Sequence, residues 1–347
     1  MSYAPVESPH PAQFQASRVD AESLPVETRE ACDLPYGEFI ERYVAANRPV
    51  VVRNAVSEWP ALRKWTPEYF KRNFHDKQVA VAYGKSMPFD RFIDEMVASS
   101  RENPGPYMYR LFLHEHLPEL LEDVVPQNAY AFPRRLASPL MPEKWRRPDG
   151  YLKLLMGSVG SKFPVMHFDA ENMHATITEI YGDKEFVLFS PEDTPFMYAN
   201  PQRPNHSLVD DPCLQDRERF PLLARATLYR TVLTPGDMVF VPSRWWHTAR
   251  PLNPSISVGM NILDRSNWHG FAREVTAETR QHSRMKAGLV LAFFSMANMA
   301  MSACELLQKK APRLSRLLGL PPRIAPASAE WARDPSLHPL DIRIPTS

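Results

Sequence analysis

The chain is poor in cysteine, poor in glycine and close to electrical neutrality. Its three cysteines, Cys32, Cys213 and Cys304, are odd in number and far apart. That excludes a disulfide framework or a cysteine zinc ribbon and fits a reducing compartment. Only 12 of 347 residues are glycine, and neither a P-loop nor a G-x-G-x-x-G pattern occurs. A glycine-built phosphate cradle is therefore excluded. A net charge of +1 gives no basic footprint for nucleic acid, so none is expected as a partner. The opening residues, MSYAPVESPHPAQFQ, lack a basic start followed by an apolar core. No secretory signal is visible, and a cytoplasmic location is the expectation.

What is abundant is proline, at 35 residues, and apolar side chains, at 44%. The first predicts rigid loops between short elements; the second supplies one large core with appendages. Residues 1–30 are polar without periodicity and read as a flexible N-terminal arm. YGEFIERYVAAN then places Phe39, Ile40, Tyr43 and Val44 on one helical stripe. PVVVRN reads as a buried strand, WPALRKWTPEYFKRNF as a turn and helix, QVAVAY and YMYRLF as strands, and Leu117–Val125 as an acidic helix. From residue 151 the pattern is β throughout: YLKLLMG, HATITEIY, KEFVLFS, ATLYRTVL, DMVFVP and SISVGMNIL. Closely spaced runs bounded by Pro, Gly, Asn and Asp predict a sandwich or barrel. The fold class is thus mainly β with helical flanks: an N-terminal α/β segment, a β core over 31–268, and a helical region over 269–347.

Within that last region Ala287–Cys304 carries no charge, the lower edge of a membrane span in length. Ser295, Asn298 and many Ala and Met favour a buried or dimer-forming helix, with membrane association as the alternative. Basic residues flank both ends, so charge sets no orientation.

The chemistry concentrates in MHFDAENMHATITEIYGDKEFVLFSP. Alternate residues of a strand share a face, so His167 and Asp169 aim an imidazole and a carboxylate at one point. Eighty residues on, TPGDMVFVPSRWWH reads as a turn, a buried strand and a proline-bounded corner that delivers His247. Two histidines and a carboxylate with open positions opposite form the ligand set of non-haem Fe(II) oxygenases. An H-x-D alone is a weak signal; the pair of motifs is a strong one. His174 could project toward the same cavity, although a strand-start histidine bonded to backbone is the better reading. His114, His116 and His206 sit in loop-like surroundings and read as solvated.

PGDMVFVPSRWWH, HFD and GDKEFVLFSP together resemble the JmjC and cupin-like (asparaginyl-hydroxylase-like) group. FIERYVAANRPVVVRNAVSEWPALRKWTPEYF and LKLLMGSVGSKFPVMHFD are similar to its N-terminal segment and to the strand before the first ligand. The resemblance covers roughly residues 34–265. It implies a double-stranded β-helix (a cupin or jelly-roll core) and Fe(II)- and 2-oxoglutarate-dependent dioxygenase activity. Iron would be held by His167, Asp169 and His247, the catalytic centre, and the reaction would release succinate and CO2. The retained carboxylate favours hydroxylation over halogenation.

The distal carboxylate of 2-oxoglutarate needs a cation, and Gly182-Asp183-Lys184 matches the family's Gly-x-Lys. SISVGM lacks the arginine that does this work in other 2-oxoglutarate enzymes, so Lys184 is the assigned cation. Tyr107 resembles the tyrosine that bonds the same carboxylate, with Tyr109 on the same face as the alternative. Asn261 matches a pocket-lining asparagine. Three positions depart from the commoner pattern: Pro164 for Thr, Ala175 for Asn and Gly259 for a hydroxyl residue. The His-to-Lys interval resembles that of the lysyl-hydroxylase branch. The rim, residues 85–150 and 195–225, would choose the substrate, expected to carry an amino-acid or peptide moiety. Competing readings are a non-catalytic cupin-type binding module, a metal-dependent cupin enzyme without 2-oxoglutarate, and demethylation. The C-terminal helices resemble those that dimerise in asparaginyl-hydroxylase relatives, and a homodimer through residues 270–310 is expected.

Overall fold

Two β-sheets face each other across an apolar interior. The computed structural model describes residues 18–20, 23–81, 85–131, 135, 138, 140–141, 152–161, 165–209, 211–216, 218–311 and 313–314. In chain order the strands of the two sheets are β1 (Leu24–Pro25), β2 (Thr28–Glu30), β3 (Val50–Arg53), β4 (Tyr107–Phe112), β5 (Lys153–Gly157) and β6 (His174–Tyr181). They continue as β7 (Lys184–Phe189), β8 (Tyr229–Leu233), β9 (Met238–Val241), β10 (Trp246–Pro251) and β11 (Ser255–Ile262). The larger sheet runs β2-β3-β9-β6-β11-β5-β4, and the smaller β10-β7-β8-β1. From β6 onward the chain passes between the sheets, which makes a double-stranded β-helix of the jelly-roll type with helical flanks.

Strand alternation explains the sequence pattern. Leu155, Ile177 and Val239 of the larger sheet meet Phe186, Leu188 and Ala249 of the smaller one in a shared interior. The opposite face of β7, Val187 and Phe189, packs with Trp246, Met197 and Leu223 beneath the 190–228 excursion. Covered on both faces, KEFVLF therefore reads as an unbroken buried run. A third cluster, with Trp65, Phe70, Phe89 and Phe92, backs the larger sheet with the N-terminal helices α1 (Pro67–Phe74) and α2 (Phe89–Val97). Thr66 caps α1, its side chain accepting from the Tyr69 N–H at 3.1 Å.

Several elements differ from the sequence reading. Residues 24–30, expected in a loose arm, add the short parallel strands β1 and β2 to both sheets; residues 1–17 lie outside the described residues. The helix expected near Leu117–Val125 is a 3-10 segment, Pro118–Val124, because so short a run cannot repay α-helix nucleation. Pro164 is also outside the described residues.

After β11 come α3 (Trp268–His282) and α4 (Arg284–Lys310). Trp268, Phe271, Phe294, Ala297 and Met301 join Met173 and Leu263 in one cluster that seats the helix pair against the barrel. The Trp268 indole donates to the Phe294 carbonyl at 3.1 Å. Buried Arg135 donates to Glu305 at 3.0 Å, to Asn298 at 2.5 Å and to Ser302 at 3.1 Å, tying α4 down along its length. Among the described residues only that stripe is covered: Met285, Leu289 and Met299 are 75%, 66% and 65% exposed.

Candidate metal centre and co-substrate pocket

His167, Asp169 and His247 converge. Their ligand atoms all lie within 4.8 Å of one another, and the two imidazole centroids are 4.4 Å apart. The backbone dictates this. The His167 N–H donates to the His247 carbonyl at 3.0 Å, and the His247 N–H donates back to His167 at 2.7 Å. On β10, His247 lies opposite Leu188 and two residues before Ala249, which turns its ring into the barrel. Trp246, one residue earlier, faces the other way and donates to Thr194 Oγ1 at 3.0 Å.

Hydrogen bonding prepares both rings as ligands. Nδ1 of His167 is 3.2 Å from the Val165 carbonyl, and Nδ1 of His247 is 3.0 Å from the Trp245 carbonyl. A carbonyl only accepts, so each Nδ1 carries the proton and each Nε2 presents its lone pair. Burial, followed by the neighbouring His247, pushes the His167 imidazole down to about 3, so it stays neutral at physiological pH. Asp169 Oδ1 lies 3.8 Å from His167 Nε2, while Oδ2 accepts from Asn261 Nδ2 at 3.3 Å. One carboxylate oxygen is thereby held and the other left to face the centre. Two imidazole nitrogens and one carboxylate oxygen are the donor set that suits Fe(II) with open positions. The residues fit the metal.

Asn261 is thus a partner of a candidate ligand as well as a pocket residue, and it also accepts from the Lys153 ammonium. No motif marks Lys153, but its alternation with Leu155 on β5 turns it inward. His174 is not part of the centre. Its Nδ1 accepts from the Ser243 N–H at 2.8 Å, and its Nε2 is 3.0 Å from Ser266 Oγ and 3.8 Å from Asp264. Burial would raise the Asp264 carboxyl, but the bonds from His174 and Ser266 outweigh it and hold it near 2. His206 departs from its solvated reading: it pairs with His167 across a β-bridge, half-buried, with ring centroids 6.0 Å apart.

Lys184 opens β7 and is 0% exposed. Its side chain points into the barrel with Phe186 and Leu188. The turn before it needs Gly182, whose φ is +76° and where a Cβ would collide with the Pro254 carbonyl. The ammonium donates to Ser257 Oγ and stands 3.6 Å from Glu179 Oε2. It also lies 5.8 Å from the centroid of the Tyr107 ring. Tyr107 is therefore the tyrosine at this cation, its phenol raised first by burial; Tyr109 packs with the apolar interior. Ala175 and Gly259 face the same interior, opposite Asn261 and Ile177 respectively. Gly259 packs closely on Leu155, whose Cδ1 would lie 3.1 Å from an added Cβ.

A sheet pair of this kind, lined by two imidazoles and a carboxylate with a cation in the same interior, defines a cupin-type scaffold with a candidate metal site. The family model described as a cupin-like domain matches residues 36–269, more than half of the chain, and the chain belongs to that family. Among curated relatives it is 26% identical over 250 residues to Jumonji C domain-containing protein 5 of Drosophila melanogaster, covering 65% of this chain and 59% of the relative. It is 26% identical over 230 residues to lysine-specific demethylase 8 of Xenopus tropicalis, covering 63% and 49%. With the human bifunctional peptidase and (3S)-lysyl hydroxylase JMJD7 it shares 24% over 301 residues, covering 71% and 90%. The chain thus spans only 59% and 49% of the first two relatives.

Proposed function

We propose that this chain is an Fe(II)- and 2-oxoglutarate-dependent dioxygenase that hydroxylates an unactivated C–H bond of an amino-acid side chain, free, carrier-bound or within a peptide or protein. The observation that supports it most is the convergence of His167, Asp169 and His247 in the same interior as buried Lys184. When bound, iron and 2-oxoglutarate supply an oxidant strong enough to take hydrogen from such a bond.

The chain's own residues do the rest. His167, Asp169 and His247 hold the metal on one side, with their Nδ1 protons and Asn261 fixing ring and carboxylate orientation. Lys184 and the Tyr107 hydroxyl hold the distal carboxylate of the co-substrate. The apolar interior excludes water from the reacting centre.

Anaerobic loading with Fe(II), then oxygen, should yield succinate from 2-oxoglutarate, and Asp169→Ala should abolish it. Succinate formation that persists in that variant would overturn the assignment. Relatives named as a lysyl hydroxylase and as a lysine demethylase make the outcome at the substrate the finer question. Formaldehyde released in step with succinate would select demethylation; a product heavier by one oxygen selects hydroxylation. We also assign the exposed apolar face of α4 to a second copy of the chain, giving a homodimer through residues 270–310.

A further inference from the structure

Lys184 already has an anionic neighbour inside the barrel. Glu179 is 0% exposed, its Oε2 lies 3.6 Å from the Lys184 ammonium, and that oxygen accepts from Ser257 Oγ at 2.8 Å. Ser257 in turn accepts from Lys184, so the three side chains form a closed relay. Its other oxygen, Oε1, is buried without a hydrogen-bond partner, which leaves one position where a proton could be carried. A second carboxylate brought to the same ammonium would put two negative charges around one positive charge in a site stripped of water. Two carboxylates in that situation do not both remain ionised.

Resting on the co-substrate reading above, we propose that Glu179 takes up one proton when the distal carboxylate of 2-oxoglutarate binds Lys184, and so sets the affinity of the pocket for its co-substrate. A buffer acid gives up the proton, its bond to hydrogen breaking to leave the conjugate base, and an O–H bond forms on the Glu179 carboxyl; no other covalent bond is made or broken. Glu179 acts through Lys184 and is a positioning residue.

Among the described residues, few titratable groups face it. Lys184 comes from β7 and the Tyr107 phenol from β4, and burial keeps that phenol above its ordinary range. Asp237, just before β9, and Arg53, at the end of β3, are paired with each other. Burial, opposed by Lys184, pushes the Glu179 carboxyl up to about 7, so both of its forms are accessible near neutrality. Binding should raise it further. Affinity is then flat below about pH 7 and weakens above it by up to about tenfold per pH unit.

The test is calorimetry of 2-oxoglutarate binding to full-length protein loaded with redox-inert Mn(II), from pH 6 to 9, in pairs of buffers with different ionisation enthalpies. We expect Kd to rise about tenfold from pH 7.5 to 8.5, with uptake approaching one proton per ligand. Glu179→Gln, read beside its Mn(II) content as a check of folding, should make Kd independent of pH and remove the uptake. Binding with a flat Kd and no proton uptake in the unmodified protein overturns the inference alone. Absence of binding at every pH overturns the 2-oxoglutarate reading with it.

Discussion

At the scale of single residues, the proposed function divides the barrel interior into groups that would hold the metal, groups that would orient those holders, and groups that would hold the co-substrate. Asp169→Ala should lose stoichiometric Mn(II) retention by equilibrium dialysis. Asn261→Leu removes the amide that fixes Asp169 Oδ2 and the acceptor of the Lys153 ammonium, and metal affinity should fall about 10- to 100-fold. Lys184→Ala should raise the Kd for 2-oxoglutarate about 10- to 100-fold, since a hydrogen bond to a charged group contributes about 1.5–3 kcal/mol. An unchanged Kd would show that another cation, with Lys153 the alternative, receives the carboxylate. The three candidate ligands and Lys184 were legible in the sequence because H-x-D, a distant histidine and Gly-x-Lys are local patterns. Glu179 was harder. HATITEIY hides an inward-facing acid in the same alternation as Ala175 and Ile177, and only pairing with β11 shows that Ser257 and Lys184 await it. His206 gave no signal, because its place beside His167 depends on how a loop-rich excursion folds back.

At the scale of elements, the β-runs from residue 151 onward translated into strands almost one for one, since apolar periodicity and turn residues act locally. Elements that depend on tertiary partners did not. The strands at 24–30 exist only because sheet edges were available to pair with. The helix α4 is the other case. Its sequence is apolar nearly all round, yet only one stripe, with Phe294, Ala297 and Met301, is buried. By length and composition it is also the one helix among the described residues that could cross a membrane. Phe294→Ala should destabilise the helix pair by about 3–5 kcal/mol, seen as early loss of amide protection in α3 and α4. Two carboxylates placed on the apolar face, Leu289→Glu with Met299→Glu, should convert a dimer to a monomer by light scattering. If instead the unmodified protein is already monomeric and pellets with vesicles, the face belongs to a lipid surface.

At the scale of the whole molecule, acid should loosen the metal-free protein before it affects the apolar core. His167 titrates near 3 when folded against 6.5 as its reference. The unfolded chain therefore binds the proton first, and stability drops as pH falls below about 6.5. Asp264, folded near 2 against a reference of 3.8, adds stability above its unfolded value that is lost as pH falls toward 2. Thermal melts of the metal-free protein should show Tm falling steadily from pH 7 to pH 4.5, with a shallower fall in His167→Gln. The order of the sheets, and hence which residues meet inside, rests on long-range pairing that no short stretch of chain specifies.

The residues bearing the two imidazoles are stitched to each other main chain to main chain, in both directions. Stripping the ion with a chelator should therefore leave its berth standing, with far-UV circular dichroism unchanged and Tm lowered only by the lost binding energy. Reloading then becomes a matter of passage through the rim, completed without refolding.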